Sequence, residues 1–235
     1  MIKKIIRSFS LLEYSVSSIR IASLLLTSIL KKREHEDHFI ILFSLGRSGS
    51  SMAAEKLSSA RKANNLNEFF HFKFFPKYFF AKALSFYSQR NGAVLIKILT
   101  YQILRNKITF DYIDKHFLSN SYEVIILNRD PFEQCLSVCY SKITDKWHKN
   151  KASSFEEIII PEDVFRKQML RAKKQYQIQK EFIAYLKKNN KDYSEISYEE
   201  ISNENIRTNN FHIINKGGVI KRIKNLESLS KIFYG

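Results

Sequence analysis

Three short, uninterrupted runs of apolar residues, each lying near a helical stretch, constrain the fold of this chain most strongly. The runs are Phe39–Phe43, Ala93–Ile96 and Val124–Leu127. Strands that are apolar at every position are buried on both faces, and such strands occur in parallel sheets that helices cover on either side. The sequence therefore predicts an α/β fold of three layers, αβα, with a central parallel sheet.

Helix signals follow the third of these runs. Asp130 is placed as an N-cap, Pro131 suits the first helical position, and Glu133 completes the spacing of a capping box. A long helix is predicted from Glu162 to about Lys188, and the segment 196–201 is predicted as a last short strand. Only 6 Gly and 3 Pro in 235 residues argue against an all-β fold, which would need many tight turns.

The chain is strongly basic, with 39 Lys and Arg against 23 Asp and Glu and a net charge of +16. This excess indicates an anionic partner: a nucleic acid, a membrane surface or a phosphate-bearing small molecule. Basic residues are spread along the whole chain without a pattern typical of an RNA- or DNA-binding domain, so we expect no nucleic-acid partner. Two cysteines, Cys135 and Cys139, cannot form a disulfide framework or a four-ligand zinc site, and we expect no metal.

The first thirty residues are apolar and basic, with apolar positions on a helical stripe. We divide the chain into an N-terminal amphipathic helix with a charged linker, residues 1–37, and a single α/β domain, residues 38–235. The helix either packs on the domain or on a second subunit of a homodimer, or binds a membrane surface through Lys3, Lys4 and Arg7. Its longest uncharged run is too short to span a bilayer. We expect a cytoplasmic protein.

A loop containing Gly46, Arg47, Ser48, Gly49, Ser50 and Ser51 follows the first apolar run and precedes a helix. A strand, a glycine-containing loop and a helix in this order direct backbone N–H groups toward an anion. The spacing is P-loop-like, but Ser50 stands where a nucleotide triphosphatase has its lysine, so the cation of the loop is moved to Arg47. The loop predicts a phosphate site without ordinary nucleotide hydrolysis.

A second stretch places Arg129 at the end of the third apolar run and Ser137 eight residues later on the following helix. Arg129 leaves the carboxyl end of the sheet, where α/β folds bind ligands. A guanidinium and a hydroxyl in these positions can converge on one phosphate.

Together the two stretches resemble the PAPS-dependent sulfotransferases. The first is similar to the loop that binds the 5′-phosphosulfate, which assigns Gly46, Arg47, Ser48, Gly49, Ser50 and Ser51 to the cofactor. The second is similar to the motif that binds the 3′-phosphate, which assigns Arg129 and Ser137. The resemblance implies a P-loop-like α/β domain that uses PAPS as sulfate donor without a metal.

Within that family the chain more closely resembles bacterial carbohydrate sulfotransferases of the trehalose 2-sulfotransferase kind. The stretch 66–70 keeps the glutamate and aromatic residue of their P-Q-E-Y-F motif but not the proline, which implies that Glu68 is the general base. The resemblance also implies that Arg47 is the second catalytic residue and that the acceptor is a carbohydrate or a glycolipid. Further candidates for the acceptor and donor sites are His71, Trp147, His148 and Lys97. Two alternatives remain: a P-loop kinase-like phosphotransferase, and a non-catalytic module that binds nucleic acid or another anion.

Overall fold

A computed structural model of the chain describes residues 19, 22, 23, 26, 32–66, 68, 77–119, 121–145, 156–203 and 220–235. Most of the predicted N-terminal helix lies outside these residues, as do His71, Trp147 and His148. In the described part of the chain, no helix is both long and apolar enough to cross a bilayer.

Five parallel strands form the central sheet, in the order β2-β3-β1-β4-β5. The strands are β1 (His38–Ser44), β2 (Asn64–Asn65), β3 (Val94–Leu99), β4 (Ser121–Asn128) and β5 (Ser194–Ser197). The three apolar runs supply the middle of the sheet, β3, β1 and β4, which confirms the predicted α/β architecture. The two-residue β2 was not predicted, because a pair of asparagines carries no strand pattern.

Helices pack against both faces of the sheet, an arrangement compatible with three layers. They are α1 (Ser50–Ala60), α2 (Lys77–Asn91), α3 (Thr100–Asn106), α4 (Phe110–Phe117), α5 (Pro131–Thr144), α6 (Glu162–Lys188), α7 (Tyr198–Asn203) and α8 (Leu226–Tyr234). In β1, Ile41 and Phe43 share a core with residues of α2, α4 and α6. The alternate residues Ile40 and Leu42 share a separate core with α1 and α7, as the two-residue period of a strand requires.

Local signals located α5 and α6 correctly. The side chain of Asp130 accepts a hydrogen bond of 2.9 Å from the backbone N–H of Glu133, and Pro131 is the first residue of α5. The long helix runs from Glu162 to Lys188, as predicted.

The predicted strand over 196–201 is wrong over its last four residues, 198–201. β5 ends at Ser197, and Tyr198 begins α7. Ser197 and Glu200 form a capping box, in which Glu200 N–H donates to Ser197 Oγ and Ser197 N–H donates to the Glu200 carboxylate. The S-x-x-E pattern of that box was present in the sequence and marks a helix start.

The strand order has a topological switch point between β1 and β4. From β1 the chain continues to β2 and β3 on one side, whereas β4 and β5 lie on the other. Ser44 at the end of β1 is in register with Leu127 of β4. The loops that follow these two strands therefore meet at the carboxyl edge of the sheet, at the switch point where open α/β sheets bind ligands.

Candidate functional site

The loop after β1 turns sharply into α1. Arg47 and Gly49 adopt left-handed backbone conformations, with φ of 61° and 78°, and Gly49 is the N-cap of α1. Ser48 is buried, and its hydroxyl donates a hydrogen bond of 2.6 Å to the carbonyl of Leu45. The Ser48 side chain thus closes the turn.

A direct hydrogen bond joins the two stretches that the sequence singled out. Nη1 of Arg129 donates to the carbonyl oxygen of Arg47 over 2.6 Å. Arg129 is largely buried, with 12% of its side chain exposed, and its Nε lies 3.9 Å from the Glu133 carboxylate. The structure therefore places Arg129 next to Arg47 at the carboxyl edge of the sheet, a contact that the sequence did not predict.

Two guanidinium groups close to each other give this edge an excess of positive charge. The pKa of Arg47 is lowered, first by burial and then by the charge of Arg129, while Tyr198 opposes the shift. Like charges held together in a partly buried site repel each other, and a bound anion would relieve that repulsion. The arrangement is suited to a ligand that carries phosphate groups.

Tyr198 packs between the two loops, and the sequence gave no indication of this role. Its ring lies under the Arg129 guanidinium, 4.4 Å from the guanidinium carbon to the ring centroid. A Cβ added to Gly49 would lie 2.6 Å from two carbon atoms of the same ring. Gly49 is therefore required both by its φ and by the close approach of Tyr198. The prediction of a strand through Tyr198 concealed this contact.

Two glutamines hold the peptide groups of Gly46 from different helices. Nε2 of Gln134 in α5 donates to the Gly46 carbonyl over 2.7 Å, and Oε1 of Gln175 in α6 accepts from the Gly46 N–H over 3.2 Å. Thr100 Oγ1 also donates to that Gln175 oxygen, over 3.3 Å. These hydrogen bonds fix the orientation of the loop at Gly46, and the Gly46 N–H already donates to Gln175. The positions of these glutamines in the sequence did not indicate a role in the site.

Lys97 links the loop to the predicted base. It lies inside β3, which continues to Leu99, and not at the end of a strand as the sequence suggested. Its Nζ donates to Ser51 Oγ over 2.8 Å and forms an ion pair of 2.9 Å with Glu68 Oε1. Only 2% of the Lys97 side chain is exposed. The structure therefore connects three residues that the sequence nominated separately.

The Glu68 carboxylate has further donors from α3. Tyr101 OH and Gln102 Nε2 each donate to Oε2 over 3.1 Å. Burial and then the charge of Glu68 raise the pKa of Tyr101 to about 12, so its hydroxyl stays protonated as a donor. Glu68 itself keeps 28% of its side chain exposed, which leaves it accessible from solvent.

The remaining predicted residues are less closely connected to this cluster. Ser50 is the first residue of α1 and Ser137 lies in the second turn of α5, each 6% exposed. The two cysteines are free thiols buried in the core. Among the residues that the structure describes, no group of His, Cys, Asp and Glu is arranged to hold a metal ion.

Comparisons with models of protein families, with curated proteins and with solved structures find no match to this chain. A functional interpretation therefore rests on the residues of the site and on the chemistry that they allow.

Proposed function

We propose that this chain is a PAPS-dependent sulfotransferase with a P-loop-like αβα domain, acting on a hydroxyl group of a carbohydrate or glycolipid. The observation that carries the proposal is the hydrogen bond from Arg129 to the Arg47 carbonyl, which unites two cationic loops at the switch point. A doubly phosphorylated nucleotide needs cationic groups at two places, and these loops supply one each.

The residues of the site fit the requirements of sulfuryl transfer. The reaction breaks the S–O bond to the donor phosphate, which keeps the electron pair, and forms an S–O bond to the acceptor oxygen, which loses its proton. Arg47 and the backbone N–H groups at the start of α1 would stabilise negative charge on the departing phosphate. Glu68 would accept the proton, as a carboxylate within reach of the loop through Lys97 and Ser51.

A phosphotransferase is the second candidate, because the loop spacing is that of a P-loop. In such enzymes the serine at the position of Ser51 binds Mg²⁺. Here Ser51 Oγ accepts a hydrogen bond from the Lys97 ammonium, and a fixed cation at that point opposes the approach of a divalent one. The contact favours sulfuryl transfer, in which the transferred group carries little charge and needs no Mg²⁺.

Thermal unfolding with nucleotides tests the proposal. Adenosine 3′,5′-bisphosphate at about 100 times its Kd should stabilise the protein by about 2.7 kcal/mol, or about 5–10 °C in Tm for a chain of this size. AMP, which lacks the 3′-phosphate, should give a much smaller shift at the same concentration. Equal shifts with both nucleotides would contradict the assignment of Arg129, and turnover of ATP with Mg²⁺ would favour the phosphotransferase.

A further inference from the structure

We propose that Lys97 is a cation shared between the base and the donor site, pairing with Glu68 in the free protein and with the 5′-phosphate of the nucleotide in the complex. The inference rests on the proposed function and deepens it. Through Lys97, nucleotide binding at the loop and the charge of Glu68 affect each other.

The strand register explains why a lysine of β3 reaches the loop. Leu95 shares the core that contains residues of α1, and Lys97, two residues later, extends from the same face of β3. On that face α1 carries Ser51 at its N-terminal end, 2.8 Å from the Lys97 ammonium. The loop has Ser50 where a P-loop has its lysine. The neighbouring strand β3 supplies a cation instead, because Lys97 contacts the next residue, Ser51.

Burial makes the partner of this ammonium important. Lys97 is 2% exposed, and a buried ammonium is costly unless an anion and hydrogen-bond acceptors surround it. In the structure Glu68 supplies the anion at 2.9 Å and Ser51 supplies an acceptor. An anion bound at the N-terminus of α1 would approach from the side of Ser51 and compete with Glu68 for the same charge.

The shared cation also fits the movement of charge during the reaction. Glu68 loses its negative charge when it takes the acceptor proton, and the departing phosphate oxygen gains negative charge as it keeps the electron pair of the broken bond. Lys97 retains its own proton throughout. Because the two anions lie on either side of one ammonium, the loss of one partner coincides with the gain of the other, and Lys97 stays paired.

Calorimetric titration of the full chain with adenosine 3′,5′-bisphosphate measures this coupling. We expect Lys97→Met to weaken binding tenfold or more, since a hydrogen bond to a charged group is removed. Glu68→Gln should strengthen binding several-fold, because the ammonium no longer has a competing carboxylate. In the double variant most of the gain from Glu68→Gln should disappear.

Two controls isolate the 5′-phosphate and the charge. Adenosine 3′-phosphate has no 5′-phosphate, so its affinity should be the same in all of these variants. Lys56→Met removes another buried lysine, in α1, which donates to the Ile201 carbonyl, and should leave both affinities unchanged. If Lys97→Met fails to fold, Lys97→Arg, which keeps the charge, should retain affinity for the bisphosphate, and the result for Glu68→Gln decides independently.

The outcomes separate this inference from the proposed function. Unchanged affinity of Glu68→Gln in a protein that prefers the bisphosphate over AMP would mean that Lys97 only positions Glu68, which overturns the inference and leaves the sulfotransferase intact. If Glu68→Gln strengthens binding by the same factor when Lys97 is absent, Glu68 acts by direct repulsion of the phosphate. That result would also overturn the role of Lys97. A wild-type protein that does not prefer the bisphosphate would remove both.

Discussion

At the scale of single residues, position matters more than the amount of charge. The chain has 39 Lys and Arg, and the switch-point site uses Arg47, Arg129 and Lys97. Each has a specific partner: Arg129 bonds the Arg47 carbonyl, and Lys97 bonds Ser51 and Glu68. A net charge of +16 indicates an anionic partner, and these contacts gather three cations at one edge of the sheet, which supports our proposal of a small phosphate-bearing ligand.

Replacement of Arg129 tests the 3′-phosphate assignment. Arg129→Ala should weaken binding of adenosine 3′,5′-bisphosphate tenfold or more and binding of AMP by less, because a charge-assisted contact to one phosphate is lost. Calorimetric titration measures both affinities. Arg166→Ala removes an exposed arginine that pairs with Glu162 and should change neither. Equal losses for the two nucleotides would mean that Arg129 only supports the loop.

Replacement of Glu68 tests the general base. Glu68→Gln should lower the rate of sulfate transfer from PAPS to sugar acceptors by about 10²- to 10⁴-fold, since proton abstraction is lost. Binding of the bisphosphate must persist in the same variant. Glu162→Gln, an exposed change on α6, serves as the matched control. Near-normal transfer by Glu68→Gln would exclude this residue as the base.

At the scale of elements, the start of α1 depends on one glycine. Gly49 and Gly92 have similar backbone conformations, with φ of 78° and 82°. A Cβ at Gly49 would lie 2.6 Å from the Tyr198 ring, whereas at Gly92 the nearest atom, Nε2 of His35, is 4.0 Å away. The two positions thus share the same backbone strain and differ in the space around them.

We expect this difference to appear in stability. Gly92→Ala should cost about 1–2 kcal/mol from the left-handed conformation alone. Gly49→Ala should cost a further ~1–3 kcal/mol, because the Tyr198 ring must move, and should weaken nucleotide binding as well. Urea unfolding of the two variants measures the difference. Equal destabilisation would show that Tyr198 can move away from Gly49 without cost.

At the scale of the whole molecule, partly buried tyrosines couple folding to alkaline pH. Burial raises the pKa of Tyr101 and of Tyr112 to about 12, from an ordinary value of 10.0. Between these values the unfolded chain has lost the protons that the folded protein still holds. The two tyrosines therefore contribute their full stabilisation below pH 10, and the free energy of unfolding falls as pH rises toward 12.

Tyrosine-to-phenylalanine variants test this pH dependence. Because both side chains are only partly buried, the loss between pH 10 and pH 12 should reach roughly 1–2 kcal/mol for each tyrosine. Tyr112→Phe should remove part of the loss and the double variant with Tyr101→Phe a larger part, when urea unfolding is compared at pH 8 and at pH 11. The raised pKa values of Tyr87, Tyr185 and Tyr234 account for a remainder. A double variant with the full wild-type loss would assign the effect to other groups, such as the lysines.

The elements and the site differed in how far the sequence predicted them. Apolar runs predicted β1, β3 and β4, and Asp130 with Pro131 located the start of α5, because these signals act between residues close in the chain. The turn from β5 into α7 was missed although its capping box is local. The contacts of Gln134 and Gln175 with Gly46 were not predictable, since no periodicity relates residues on different elements.

The sequence by itself determined a parallel sheet, a glycine loop before α1 and an arginine at the end of β4. Burial of uniformly apolar strands and the conformational freedom of glycine require these features locally. Only the tertiary structure decided that Arg129 bonds Arg47, that Tyr198 covers Gly49 and that Lys97 joins Ser51 to Glu68. These contacts depend on strand order and register, which bring distant parts of the chain to one edge of the sheet.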